Sequence, residues 1–179
     1  MNGVASRSMN DAGMTVDYRV NFGIDLPRLE LIADDIRTDL ASHLDEEGMM
    51  SLAQSLWNER VRECRILATM LYPANRMLLE VADIWADDIK TVELAQITAL
   101  FLFRNLNDAS VLAFQWVADD NEMKQIVGFY TVFHLVRKGQ LSERSRQEMI
   151  DQAEVASMSD NVQLKYIADK LLCLLQNRT

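Results

Sequence analysis

The feature that most constrains this chain is a phrase written twice in succession: a tryptophan, a short acidic turn and a long apolar run. Trp85-Ala86-Asp87-Asp88 leads into a helical run beginning near Thr91, and Trp116-Val117-Ala118-Asp119-Asp120 leads into another beginning near Asn121. A fainter copy lies upstream, where Leu56-Trp57-Asn58-Glu59 precedes the run Val61 to Leu71, so the three tryptophans stand 28 and 31 residues apart. A fourth copy is expected at Ala156-Ser157-Met158-Ser159-Asp160-Asn161, which keeps the Asp-Asn of the third turn and again precedes an apolar run. Self-similarity of two helices per unit at a near-constant period implies an α-solenoid, because each pair can bury its apolar face only against its neighbours. The tryptophans, each ending the first helix of a pair, are expected in the core between repeats.

The rest of the composition agrees with an all-α chain: 49% of the residues are hydrophobic, and two prolines and six glycines in 179 residues leave few helix breakers. No run of 18 apolar residues exists, which argues against a membrane span, and the first 22 residues lack the apolar core of a signal peptide. The expected location is the cytoplasm. A formal charge of −9 works against non-specific nucleic-acid binding, which rests on neutralising phosphates. Cys64 and Cys173 sit in apolar runs without a CxxC spacing and are expected as buried structural thiols. Neither a metal nor a cofactor is implied. Asp87, Asp88, Asp119 and Asp120 read as caps near helix N-termini rather than a cation site, His134 as a core or boundary histidine, and His43 as a surface residue.

In chain order, residues 1–22 have no sustained periodicity and are expected as a flexible arm, with residues 23–179 forming a single solenoid domain. Pro27 suits the first turn of a helix whose stripe runs Leu29, Ile32, Ala33, Ile36, Leu40 and Leu44, closed by Asp45-Glu46-Glu47-Gly48. Met49 to Trp57 and Val61 to Leu71 make the first pair, stopped by Tyr72-Pro73. Asn75 is expected to cap a helix through Trp85, Thr91 to cap Val92 to Arg104, and Gly139 to end the long helix Asn121 to Arg137. Ser142 to Ala156 and Asp160 to Gln176 close the array.

At the residue level the chain resembles the DNA alkylation repair (AlkD-like) family. Phe22-Gly23-Ile24-Asp25-Leu26-Pro27-Arg28-Leu29 is similar to the family's Tyr-Gly-Val-x-x-Pro-x-Leu opening, although Glu30 follows where the family commonly has arginine. Leu56-Trp57 with Glu63-Cys64-Arg65-Ile66-Leu67-Ala68 resembles its Leu-Trp and Glu-x-Arg-x-x-Ala segments, and Trp85-Ala86-Asp87-Asp88 a Trp-Val-x-Asp that precedes the catalytic helix. The likeness runs without gaps from about Phe22 to Val136. It implies a right-handed α-solenoid of HEAT-like antiparallel helix pairs whose concave face, in the family, holds duplex DNA with a cationic alkylated base.

The family's catalytic Trp-Asp-Leu-x-Asp segment falls on Val92-Glu93-Leu94-Ala95-Gln96, so its tryptophan becomes Val92 and its aspartate Gln96. Twenty residues on, Trp116 stands where the family has its next tryptophan; ten further, Ile126 stands where a DNA-contacting arginine is expected, with Gln125 beside it. Excising a cationic base builds positive charge on the sugar, and loss of one preorganised electrostatic group costs about 3–4 kcal/mol of barrier. Glu93 shares a helix face with Gln96 but lies about 4.5 Å from it along the axis. Arg62, Arg65 and Arg104 are candidate phosphate contacts on the concave face. The resemblance thus implies a non-catalytic or weakly active family member that binds DNA or a protein. The alternative is a glycosylase that uses Glu93 or Gln96 to excise cationic alkylated purines from duplex DNA.

Overall fold

The computed structural model describes residues 18–176. Residues 1–17, most of the expected N-terminal arm, lie outside the described residues. The described residues form nine α-helices and no strand, as the all-α expectation required. None of these helices is long and apolar enough to cross a membrane. The chain divides into two compact units, one running to Arg76 and the other beginning at Met77.

The first unit holds α1 (Leu26–Leu40), α2 (Glu46–Asn58) and α3 (Arg62–Leu71). Each start has a local reason. Asp25 accepts from the Arg28 amide at 3.0 Å ahead of Pro27 in the first turn, and Asp45 accepts from the Gly48 amide at 2.8 Å. Asp45 therefore opens α2 instead of closing α1. Both α1 and α2 pack on α3, which buries Leu29 and Ala33 of α1, Ala53 and Trp57 of α2, and Ile66 and Ala68 of α3.

Residues 19–22 of the expected arm are held by α3 and the turn before it. Val20 pairs with Val61, and the Arg19 amide donates to Arg60 O at 2.9 Å. The buried Glu63 carboxylate then accepts from the backbone amides of Phe22, Gly23 and Ile24 at 3.1, 3.0 and 3.3 Å. Burial alone would raise its pKa, but the Phe22 amide, its own backbone, Arg62 and the Ile24 amide hold it below the usual carboxylate value.

The second unit is built on α7 (Glu122–Arg137), which packs against α4 (Leu79–Asp88), α5 (Val92–Phe101), α6 (Ala109–Val117) and α9 (Val162–Gln176). The last helix to place, α8 (Glu143–Ala156), pairs with α9. Thr91, Asn121, Ser142 and Asn161 cap their helices through side-chain oxygens. The Asn161 cap repeats the Asn121 cap, as the fourth copy of the phrase requires. Gly139 adopts φ 70°, while the amides of Gly139 and Gln140 reach back to Val136 O and Leu135 O, the paired bonds of a Schellman ending.

Two expected boundaries move. Asn75 lies in a 3-10 turn and α4 begins at Leu79 after Leu78, which offers no side-chain cap. The helix from Val92 stops at Phe101, and Phe103–Asn105 form a 3-10 turn that turns Phe103 into the core, 4.7 Å from the Trp116 ring. All three tryptophans are buried. The cysteines depart from expectation: Cys64 is only half-buried and Cys173 is exposed.

The acidic turns do not cap helices in the expected way. Asp87 and Asp88 end α4, and Asp87 joins Asp83 and Asp119 around the buried ammonium of Lys124, at 2.9, 2.9 and 3.5 Å. Asp83 also accepts from Trp116 Nε1 at 2.8 Å. Burial opposes the charge on Lys124, yet its bonds to Asp83 and Asp87 carry its pKa above the ordinary lysine value. Asp83 is held below the ordinary aspartate value, burial notwithstanding, by its bonds to Lys124 and Trp116.

Two outcomes are expected in denaturant titrations. Lys124→Met removes the cation and leaves three carboxylates together; because they keep some solvent, the loss falls below that of a fully buried pair, at about 2–3 kcal/mol. Gly128→Ala is destabilising despite alanine's helix preference of about 1 kcal/mol. A Cβ there stands 2.8 Å from Val117 N and 2.9 Å from Ala113 O, backbone that cannot swing aside. Overpacking of about 1–3 kcal/mol then dominates.

Candidate functional site

α5, α7 and α9 lie side by side in the second unit, and their shared face carries most of the unit's unusual chemistry. Along α7, residues Tyr130, Phe133, His134 and Arg137 recur at spacings of three and four and share one side of the helix. Gln96 on α5 is exposed, and its side-chain amide donates to the Tyr130 hydroxyl at 2.6 Å. Burial raises the Tyr130 pKa and the nearby Tyr166 adds to it, against the opposing pull of the Gln96 bond, so the phenol is neutral at pH 7. The position where the resemblance sets a catalytic aspartate therefore holds an amide bonded to a neutral phenol.

One turn further along α7 the field becomes strongly positive. His134 is half-buried with its ring edge-on to Phe133 at 5.5 Å. Its pKa is pushed down to about 4, first by burial and then by Arg104, Arg137, Lys170 and Lys138. Four cations thus converge on one neutral imidazole in a chain that is acidic overall. Arg104 reaches the cluster from the 3-10 turn after α5, and its Nε is buried without a hydrogen-bond partner among the described residues. Burial and Arg137 lower the Arg104 pKa, and burial and Arg104 lower that of Lys138, whose ammonium donates to Asn105 Oδ1 at 2.7 Å. From α9, Lys170 places its ammonium 5.1 Å from the Phe133 ring centre and 5.6 Å from that of Tyr166. The Arg137 guanidinium lies 5.8 Å from the Phe133 ring centre. Neighbouring like charges disfavour one another's charged forms, and an anion placed among them would be attracted by all of them.

The sequence-derived candidates separate into two groups. Arg104 belongs to the cationic cluster, and Gln96 stands at its margin through Tyr130. Glu93, exposed, and Val92, half-buried, occupy the first turn of α5. The others have structural roles. Ile126 is fully buried in the core. Gln125 donates to Asp119 O at 2.5 Å and latches the α6–α7 turn. In the first unit, Arg62 donates to Ile24 O at 2.9 Å and pairs with Glu63, and its side chain is only 12% exposed. Arg65 is buried, bonded to Trp57 O at 3.2 Å, with its guanidinium 5.0 Å from the Trp57 ring centre. Neither arginine is positioned as an open phosphate contact.

Sequence reasoning missed Arg137, Lys138, Lys170 and Tyr166. The signal was partial: Phe133 and Arg137 on α7, and Tyr166 and Lys170 on α9, each stand four apart and share a face. Nothing in the spacing sets α9 beside α7, and that neighbourhood gathers the charge.

A family model described as "DNA alkylation repair enzyme" matches residues 6–163. Among curated proteins none matches. A solved structure reported as a new family of proteins related to the HEAT-like repeat DNA glycosylases, with affinity for branched DNA structures, superimposes with a TM-score of 0.74 at 18% identity. The match covers 89% of this chain and 65% of that one, so this chain spans just under two thirds of its length.

The His134 shift has a testable sign. Its folded pKa lies below the ordinary 6.5, so the unfolded chain binds the extra proton first on acidification. The contribution to stability is whole above about pH 6.5 and is lost between there and about pH 4. In paired melting curves, His134→Gln is expected to show a shallower fall of Tm than the wild type over that window.

Proposed function

Because this chain belongs to the DNA alkylation repair enzyme family, we propose that it is a DNA-binding member that holds the phosphate backbone with Arg104, Arg137, Lys138 and Lys170 and does not excise bases. The observation that carries this reading is the placement of the Arg137 and Lys170 cations 5.8 and 5.1 Å from the Phe133 ring that abuts His134, whose pKa Arg104 and Lys138 also depress, with an uncharged amide at position 96. The affinity for branched DNA of the structurally similar protein supports the choice of DNA as the anion.

The overall charge of −9 does not defeat such a site. At physiological salt the Debye length is about 8 Å, so a phosphate docked among the four cations feels them far more than carboxylates elsewhere on the molecule. Catalysis is a different matter. Neither Gln96 nor neutral Tyr130 supplies the negative charge that stabilises a developing sugar cation, a deficit of about 3–4 kcal/mol. Glu93 stands a turn away on α5, and misplacement by about 1 Å already costs roughly 10²-fold in rate.

Binding is measured by anisotropy with labelled duplex and three-way-junction DNA across a salt series. Four engaged cations imply a slope of log K on log salt of about −3 to −4. Lys138→Ala is expected to weaken binding and make the slope shallower by about 1. Bound phosphate also raises the His134 pKa from its depressed value, which the ring protons report by NMR. In the same preparations, methylated duplex DNA is expected to release free purines no faster than without protein. Release that Glu93→Gln abolishes would instead establish the glycosylase reading.

A further inference from the structure

The phosphate-binding reading leaves the aromatic half of the cluster without a role. Tyr166 is 52% exposed, although the neighbouring Phe133 is partly covered and Tyr130 is buried. Lys170 lies one turn on from it along α9, with its ammonium between the Tyr166 and Phe133 rings at 5.6 and 5.1 Å. An exposed aromatic side chain steadied by a cation, at the rim of a patch where phosphates would lie, has the two components of a single-strand platform: a ring on which a base stacks and charge for the adjoining backbone. Val162, one turn before Tyr166, is 74% exposed and extends the apolar surface along the same face of α9.

Resting on the DNA-binding reading above, we propose that Tyr166 is a stacking platform for an unpaired nucleobase, so that the protein takes DNA with a single-stranded flap in preference to continuous duplex. In a duplex the base faces are stacked on one another and only phosphates are offered to the protein. A flap adds a free base face. The cations engage both substrates alike, so the preference arises at Tyr166.

The test uses the full chain with two DNAs of equal length, a continuous duplex and one with a short 5′ flap carrying 2-aminopurine. Wild type and Tyr166→Phe are expected to quench the 2-aminopurine and to favour the flap by about ten-fold, the size of one base–aromatic stack. Tyr166→Ala, folded by circular dichroism, is expected to leave the fluorophore bright and bring the flap-to-duplex affinity ratio close to one. Lys138→Ala is expected to lower both affinities with the ratio preserved. Equal affinity of the wild type for both DNAs, or a preference that survives Tyr166→Ala, overturns the platform while the phosphate site stands. Failure of the wild type to bind either DNA at low salt overturns both.

Discussion

The ammonium of Lys124 is the point on which the second unit turns. It sits near the start of α7 and gathers Asp83 and Asp87 from α4 and Asp119 from the α6–α7 turn, and Asp83 in turn holds the Trp116 indole. One buried cation thereby ties the acidic turn of one repeat to that of the next. The repeated phrase acquires its physical meaning there: Trp85 and Trp116 fill the core of the unit, and Asp87 and Asp119 after them provide counter-charge where α7 enters.

With its first turn anchored, α7 can serve as the axis of the unit. Gly128 lets α6 approach until its backbone meets the missing side chain, and Ile126, Val127 and Phe129 are buried around it. The opposite end is stopped by Gly139, which leaves Arg137 and Lys138 at the C-terminal turn, where helix carbonyls favour positive charge. Core on one side and a cationic face on the other thus come from one helix. The neighbours α5 and α9 complete that face with Gln96, Tyr166 and Lys170.

The first unit shows how burial redirects residues that look functional. Arg65 stacks on Trp57 and bonds to its carbonyl, and Arg62 pairs with a Glu63 already held by three backbone amides. Their long side chains serve the α2–α3 turn and the segment before α1. A basic residue in a helical pattern carries no mark of whether its head reaches solvent. Ile126 carried such a mark in its apolar character, and it is fully buried.

Local chemistry alone determined much of this protein. The helices, the Thr91 cap, the Gly139 stop and the buried tryptophans follow from interactions within a few residues or from a 3.6-residue apolar stripe, which the sequence carries openly. The family likeness was equally legible, because it rests on the order and spacing of motifs along the chain. Only the tertiary structure decided the rest: that Phe103 turns inward and ends α5 early, that Asp83, Asp87 and Asp119 meet on Lys124, and that Arg104, Arg137, Lys138 and Lys170 converge on His134. Those meetings join residues up to 66 positions apart on helices brought together by packing. Electrostatic interaction depends on distance in space, and a one-dimensional pattern does not record it.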